Sequence, residues 1–162
     1  MKKLLLSITL LFSIAALMIS CDKETVVSEG NLPNTAAQFL SKNFNGVKIL
    51  SVVEEKEGLS GLEYDVLLEN GIEIKFNKNG EWLDIDAQND SAALPDSLIP
   101  TSILSYVKQN YPNTGINSIE TERHGYDVEL TNGLDLEFDK DGKFITKFET
   151  SSISPSHAAF LK

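Results

Sequence analysis

Cysteine, histidine and basic residues are all scarce in this chain of 162 residues. Cys21 is the only cysteine, so no disulfide can form within the chain. His124 and His157 are the only histidines, and neither has a cysteine or a second histidine at metal-ligand spacing. Lys and Arg number 14 against 24 Asp and Glu, a net charge of −10. A phosphate-binding surface needs clustered Lys and Arg, so the composition argues against a nucleic-acid partner. The G-x-S-x-G elbow, phosphate-cradling glycine loops and nucleotide motifs are missing, and no cofactor is implied. The many acidic residues recur by alternation, and nothing marks out one pair as a glycosidase-like acid and base. The chain therefore reads as a non-enzyme.

Residues 1–20 have the make-up of a leader. Lys2 and Lys3 precede an uncharged, mostly apolar run from Leu4 to Ile19. That run is short for a membrane span, which takes about 20 apolar residues, and its flanks are those of a secretory signal. Met18-Ile19-Ser20-Cys21 resembles a bacterial lipobox, with Met18 where Leu is usual. The expectation is a lipoprotein signal peptide over 1–20, acylation of Cys21, and membrane attachment through that lipid. Loss of the leader leaves 12 Lys and Arg against 24 Asp and Glu, a net charge of about −12. So acidic a domain is unsuited to adhere to anionic lipid by itself.

Residues 21–31 are polar and aperiodic and read as a tether. Pro33 opens a helix whose apolar face is Ala36, Phe39, Leu40 and Phe44. Val47 to Glu55 reads as a strand. A hairpin then follows that the chain writes twice. Tyr64-Asp65-Val66-Leu67-Leu68-Glu69-Asn70-Gly71 leads into Ile72-Glu73-Ile74-Lys75-Phe76, then Asn77-Lys78-Asn79-Gly80. The second copy runs from Tyr126 through Asn132-Gly133 and Phe138 to Asp139-Lys140-Asp141-Gly142. Asn-Gly between alternating strands predicts a two-residue type I′ turn. Upstream, Pro100, Ile103, Tyr106, Val107 and Tyr111 repeat Pro33, Ala36, Phe39, Leu40 and Phe44. The second copy lacks counterparts of Leu59 to Glu63.

The predicted fold class is α+β. Two tandem helix-plus-four-strand repeats, 32–86 and 94–149 with a linker over 87–93, join edge to edge into one antiparallel sheet. Both helices lie on the same face. Residues 150–162 form a C-terminal tail.

The face away from the helices is where function is sought. Alternation puts Asp65, Leu67, Glu73, Lys75, Asp127, Glu129, Asp135 and Glu137 there. In the fourth strands Leu83, Ile85 and Ile145 are assigned to the core. That leaves Trp82, Asp84, Asp86, Phe144, Thr146 and Phe148 on the open face. Aromatic rings among acids are typical of a binding surface. The candidate binding residues are Trp82, Asp84, Asp86, Asp127, Glu129, Phe144 and Thr146, and no metal ligands are assigned. Asp139-Lys140-Asp141-Gly142 partly resembles a calcium loop, yet Asn77-Lys78-Asn79-Gly80 keeps the turn without the charges. Turn chemistry explains both copies. His124 reads as a solvated loop residue.

The repeated pattern of Pro, a helix ending in an aromatic, Tyr-Asp-Val-x-Leu-x-Asn-Gly, a strand ending in Phe, and x-Lys-x-Gly resembles the PepSY-like family. These are beta-lactamase-inhibitor-like proteins, secreted or lipid-anchored and common in Bacteroidota. The resemblance spans roughly residues 32–149. It implies tandem repeats forming one curved sheet; in the inhibitor that lends the name, whose disulfides this chain lacks, the concave face grips the enzyme, and carrying that activity over rests on analogy of fold alone. The functional expectation is a lipid-anchored cell-envelope protein whose open sheet face binds a protein or peptide, as an inhibitor of an envelope hydrolase in one version. The alternative is a small-ligand or divalent-cation-binding envelope protein that uses the acidic face.

Overall fold

The computed structural model describes residues 24–57 and 61–149. The strands are β1 (Thr25–Val27), β2 (Ile49–Glu57), β3 (Gly61–Leu68), β4 (Glu73–Asn77) and β5 (Trp82–Asp86), then β6 (Ile116–Thr121), β7 (Gly125–Leu130), β8 (Leu134–Asp139) and β9 (Phe144–Glu149). Helices α1 (Asn34–Asn43) and α2 (Thr101–Asn110) precede β2 and β6. The strands form a nine-stranded sheet in chain order, with every neighbouring pair antiparallel. Each repeat supplies one helix and four strands. The sheet is open and curved, with both helices on one face. The repeats meet where β5 pairs with β6, through Asp84–Glu120, Ile85–Ile119 and Asp86–Ser118.

The core follows from two periodicities. Strand alternation turns Val66, Leu68, Ile74 and Phe76 toward α1, and Val128, Leu130, Leu136 and Phe138 toward α2; all are fully buried. Ala36 and Leu40, then Ile103 and Val107, are the buried positions of the helices, four residues apart on one face. Phe39 stands edge-on to Phe76 at 5.7 Å, and Tyr106 stands edge-on to Phe138 at 5.5 Å, one repeat position seen twice. Each such buried side chain contributes about 1.5–3 kcal/mol of apolar burial.

The turn after the third strand of each copy also holds its helix in place. Gly80 and Gly142 have φ of +80° and +72°. A Cβ on Gly142 would collide with Ser102 Oγ, and one on Gly80 would meet the Ala36 nitrogen at 2.6 Å. Glycine therefore permits both the backbone conformation and the close approach of the helix. Asn77 Oδ1 accepts from the N–H groups of Asn79 and Glu81. Asp139 Oδ1 does the same for Asp141 and Lys143. One oxygen of each side chain is thus occupied in closing its turn, which is why Asn and Asp interchange there.

Three expectations need correction. The stretch read as a tether includes a strand: Val26 pairs with Val53 of β2, and Glu29–Asn31 is a short 3-10 turn. Thr25, Val26 and Val27 are β-branched and suit the otherwise open edge of β2. The Asn-Gly turns are not type I′, because Asn70 and Asn132 do not take positive φ. Gly71 N–H donates to Leu68 O, Leu68 N–H donates to Ile72 O, and Gly71 alone is left-handed. This is a three-residue loop with a glycine bulge. Asn70 Oδ1 accepts from Ile72 N–H, and Asn132 does the same for Leu134. A bulge in β5 and another in β9 also reverse side chains that were expected on the open face. The leader, Cys21 and the tail 150–162 lie outside the described residues.

Candidate functional site

Cross-strand register lines up the side chains that point away from the helices. One row crosses the sheet as Val53, Asp65, Lys75, Asp84, Glu120, Asp127, Glu137 and Thr146. The second runs Ser51, Leu67, Glu73, Asp86, Ser118, Glu129, Asp135 and Phe148. Acids make up most of the first row and half of the second, and Lys75 is the one basic residue in them. Its ammonium lies 3.7 Å from Asp65, 3.8 Å from Glu55 and 3.9 Å from Glu63.

Like charges directly opposite one another are unfavourable, and the carboxyls respond. Burial, then the charges of Glu120 and Asp86, push the Asp84 carboxyl up to about 7, with Lys75 pulling the other way. Burial also raises Asp65 to about 7; Lys75 opposes the rise, and Glu55 and Glu73 add to it. Asp65 Oδ1 is buried without a hydrogen-bond partner. Glu73 is raised by burial and then by Asp86, and Glu120 by burial and then by Glu122 and Asp127. The face thus holds strained, partly desolvated negative charge. For Asp65, Glu73, Asp84 and Glu120 burial is the largest cause of the rise, and neighbouring carboxylates add to it.

Of the residues expected here, Asp84, Asp86, Asp127, Glu129 and Thr146 do lie on the open face. Trp82 and Phe144 do not. The register shifts between Lys75 and Phe76, so that Phe76 pairs with Trp82 while Lys75 pairs with Asp84. Leu83 is the extra residue of a bulge, and Trp82 falls on the helix side, stacked on Tyr126 at 6.3 Å. The same shift occurs between Glu137 and Phe138. Phe144 stacks on Tyr106 of α2 at 4.7 Å, and Ile145, expected in the core, is 49 % exposed. A sequence clue was available. Trp82 and Phe144 occupy the same repeat position, and the rings that both copies share lie in the core or pack against it.

Two features escaped the reading of the sequence. His124 lies at the short β6–β7 turn, with its Nε2 2.9 Å from Asp127 Oδ1. Glu137 stands opposite Asp127 on β8, and one ligand atom from each of the three lies within 4.8 Å of the others. Glu120 and Asp84 meet across the joint between the repeats. Neither juxtaposition follows from spacing along the chain.

The chain is thus a duplicated α+β protein with one open sheet, helices on one face and an acidic row on the other. A family model described as "Putative beta-lactamase-inhibitor-like, PepSY-like" matches residues 62–146. The chain belongs to this PepSY-like family. A structure from Bacteroides vulgatus ATCC 8482, described as a "putative periplasmic protein of unknown function", is 35% identical. It superposes with a TM-score of 0.72 over 78% of this chain and 100% of its own. A second structure from the same organism, a "putative periplasmic protein", is 29% identical, with a TM-score of 0.71 over 80% of this chain and 99% of its own. A "putative calcium-regulated periplasmic protein" from Bacteroides thetaiotaomicron is 28% identical, with a TM-score of 0.71 over 78% and 97%. No protein of curated function matches the chain. These relatives make the protein a periplasmic or envelope protein.

Proposed function

We propose that this protein is a lipid-anchored envelope binding protein whose open sheet face takes a protein or peptide with a basic surface. Inhibition of an envelope hydrolase is the activity that fits such a role best. The observation that carries this reading is the acidic row from Asp65 to Glu137, with Asp65 and Asp84 raised to about 7. Partly desolvated like charges cost stability, and a complementary basic partner would relieve that cost while steering encounter. Asp84, Asp86, Asp127, Glu129 and Thr146 form the contact surface. Trp82 and Phe144 support it from the helix side. The exposed ring of Phe148 supplies an apolar anchor at one end of the second row.

The leader over 1–20 is removed, and Cys21 is acylated and holds the domain to the membrane through a short segment before β1. Cys21→Ser is expected to abolish fatty-acid labelling; labelling that persists would remove the lipid from this reading.

The binding test uses a photocrosslinking residue placed in living cells at Glu129, or at Lys108 on the exposed side of α2. A discrete adduct at Glu129 alone is expected, lost when Asp84 and Asp86 are changed to Asn. Equal adducts from both positions would sink the assignment to the open face. A second reading, binding of a divalent cation on the same acids, draws support from the calcium-regulated relative. Adducts abolished by chelator rather than by charge would favour it.

A further inference from the structure

We infer that the second repeat carries a divalent transition-metal site of the Zn2+ class, formed by His124, Asp127 and Glu137. The inference does not depend on a protein partner.

Asp127 and Glu137 are directly opposed on adjacent strands, so the sheet itself fixes the separation of their carboxylates. His124 is delivered by a turn closed by backbone hydrogen bonds in both directions between Glu122 and Gly125, 2.9 and 3.1 Å long. The three ligand atoms lie within 4.8 Å of one another. Donors about 3.3 Å apart surround a tetrahedral ion with bonds of about 2.0–2.2 Å, so side-chain rotation alone closes the site.

The duplication supplies an internal control. The first-copy counterpart of Glu137 is Lys75, and that of Asp127 is Asp65. There the ammonium of Lys75 lies among Asp65, Glu55 and Glu63, within 3.7–3.9 Å. This place in the fold therefore holds a cation in copy one. In copy two the lysine has become a glutamate, and among the described residues no lysine or arginine forms an ion pair with Asp127 or Glu137. The hairpin has also lost five residues, which brings a histidine to the acids. Exchanging a built-in cation for another carboxylate and an imidazole converts an ion-pair cluster into a ligand set.

The donor types choose the metal class. One imidazole nitrogen with two carboxylates suits zinc and its neighbours; calcium takes six to eight oxygens and gains nothing from a histidine. Three protein ligands leave a position for water or for a group on another molecule.

The test is calorimetric titration of the purified protein with ZnCl2, then with CaCl2. One Zn2+ per chain is expected. His124→Ala and Glu137→Gln should each weaken zinc at least tenfold, and His124→Ala should leave any calcium affinity unchanged. Glu137→Lys restores the first-copy pattern and should abolish zinc binding with no loss of thermal stability. His124 is an exposed turn residue, so its replacement leaves the fold intact, and circular dichroism verifies that. Absence of zinc binding at millimolar concentration, or wild-type affinity in His124→Ala, would overturn the inference. Failure of the crosslinking experiment would leave it standing, because zinc binding needs no partner.

Discussion

Replacing Asp84 by asparagine should stabilise this protein, and the gain should depend on pH in a defined way. Asp84 lies in the middle of the open face, opposite Lys75 on one side and Glu120 on the other. Its carboxyl titrates at about 7 in the folded chain, against an ordinary value of 3.8. A raised acid binds its proton more tightly when folded. Protonation therefore supports the fold fully below the unfolded value, and that support is lost as pH rises through 7. At pH 8 the wild type carries an ionised Asp84 in a site that disfavours it. A shift of roughly three units corresponds to about 4 kcal/mol at 1.36 kcal/mol per unit. The group is neither fully sealed from water nor independent of Asp86 and Glu120, so about half of that, about 2 kcal/mol, is the reasonable expectation. An asparagine side chain at this position is neutral and nearly isosteric with the aspartate. Urea unfolding followed by fluorescence of Trp82, the one tryptophan, measures the difference. Asp84→Asn should exceed wild type by about 2 kcal/mol at pH 8, or roughly 5–10 °C in Tm. The advantage should shrink as pH falls below 7 and vanish near pH 4. A destabilised variant at pH 8, or an advantage that ignores pH, would refute the reasoning. That outcome would support the binding role proposed for Asp84, because a residue that lowers stability is the kind kept for function.

Other perturbations probe separate parts of the structure. Lys75→Met removes the cation beside Asp65, Glu55 and Glu63, and should destabilise by about 1–3 kcal/mol at pH 8; the deficit should narrow at pH 5 as the raised carboxyl of Asp65 takes up its proton, and a constant deficit would assign Lys75 to packing alone. Gly142→Ala must hold positive φ and push Ser102 away, a loss of about 2–4 kcal/mol by thermal melting. Gly46→Ala, with φ of +82° but open space around it, should cost only about 1 kcal/mol, and equal losses would mean that the α2 contact carries nothing. Asp139→Asn should be nearly neutral in chemical denaturation because Asn77 already makes the same turn, whereas Asp139→Ala should lose about 1 kcal/mol.

The repeat was legible because core and turn residues obey local rules. Val66, Ile74 and Phe76, and their partners Val128, Leu136 and Phe138, declare strands by alternation, and Ala36, Leu40, Ile103 and Val107 declare helices by spacing. Those patterns determined two helix-plus-four-strand units and the sides of most strands. Three things needed the tertiary structure. A bulge reverses every side chain on one side of it, and it arises from pairing between strands; hence Trp82 and Phe144 lie on the helix side, packed against the core, rather than on the open face. Thr25–Val27 became a strand because the edge of β2 offered unpaired backbone groups, which nothing in residues 21–31 records. Charge accumulation on the open face depends on register across β2 to β9, which sets Asp84 against Glu120 although they belong to different repeats, and fixes Asp127 opposite Glu137 within one hairpin. Local order was therefore written in the sequence, whereas the desolvation and repulsion that give the face its chemistry exist only once the strands are side by side.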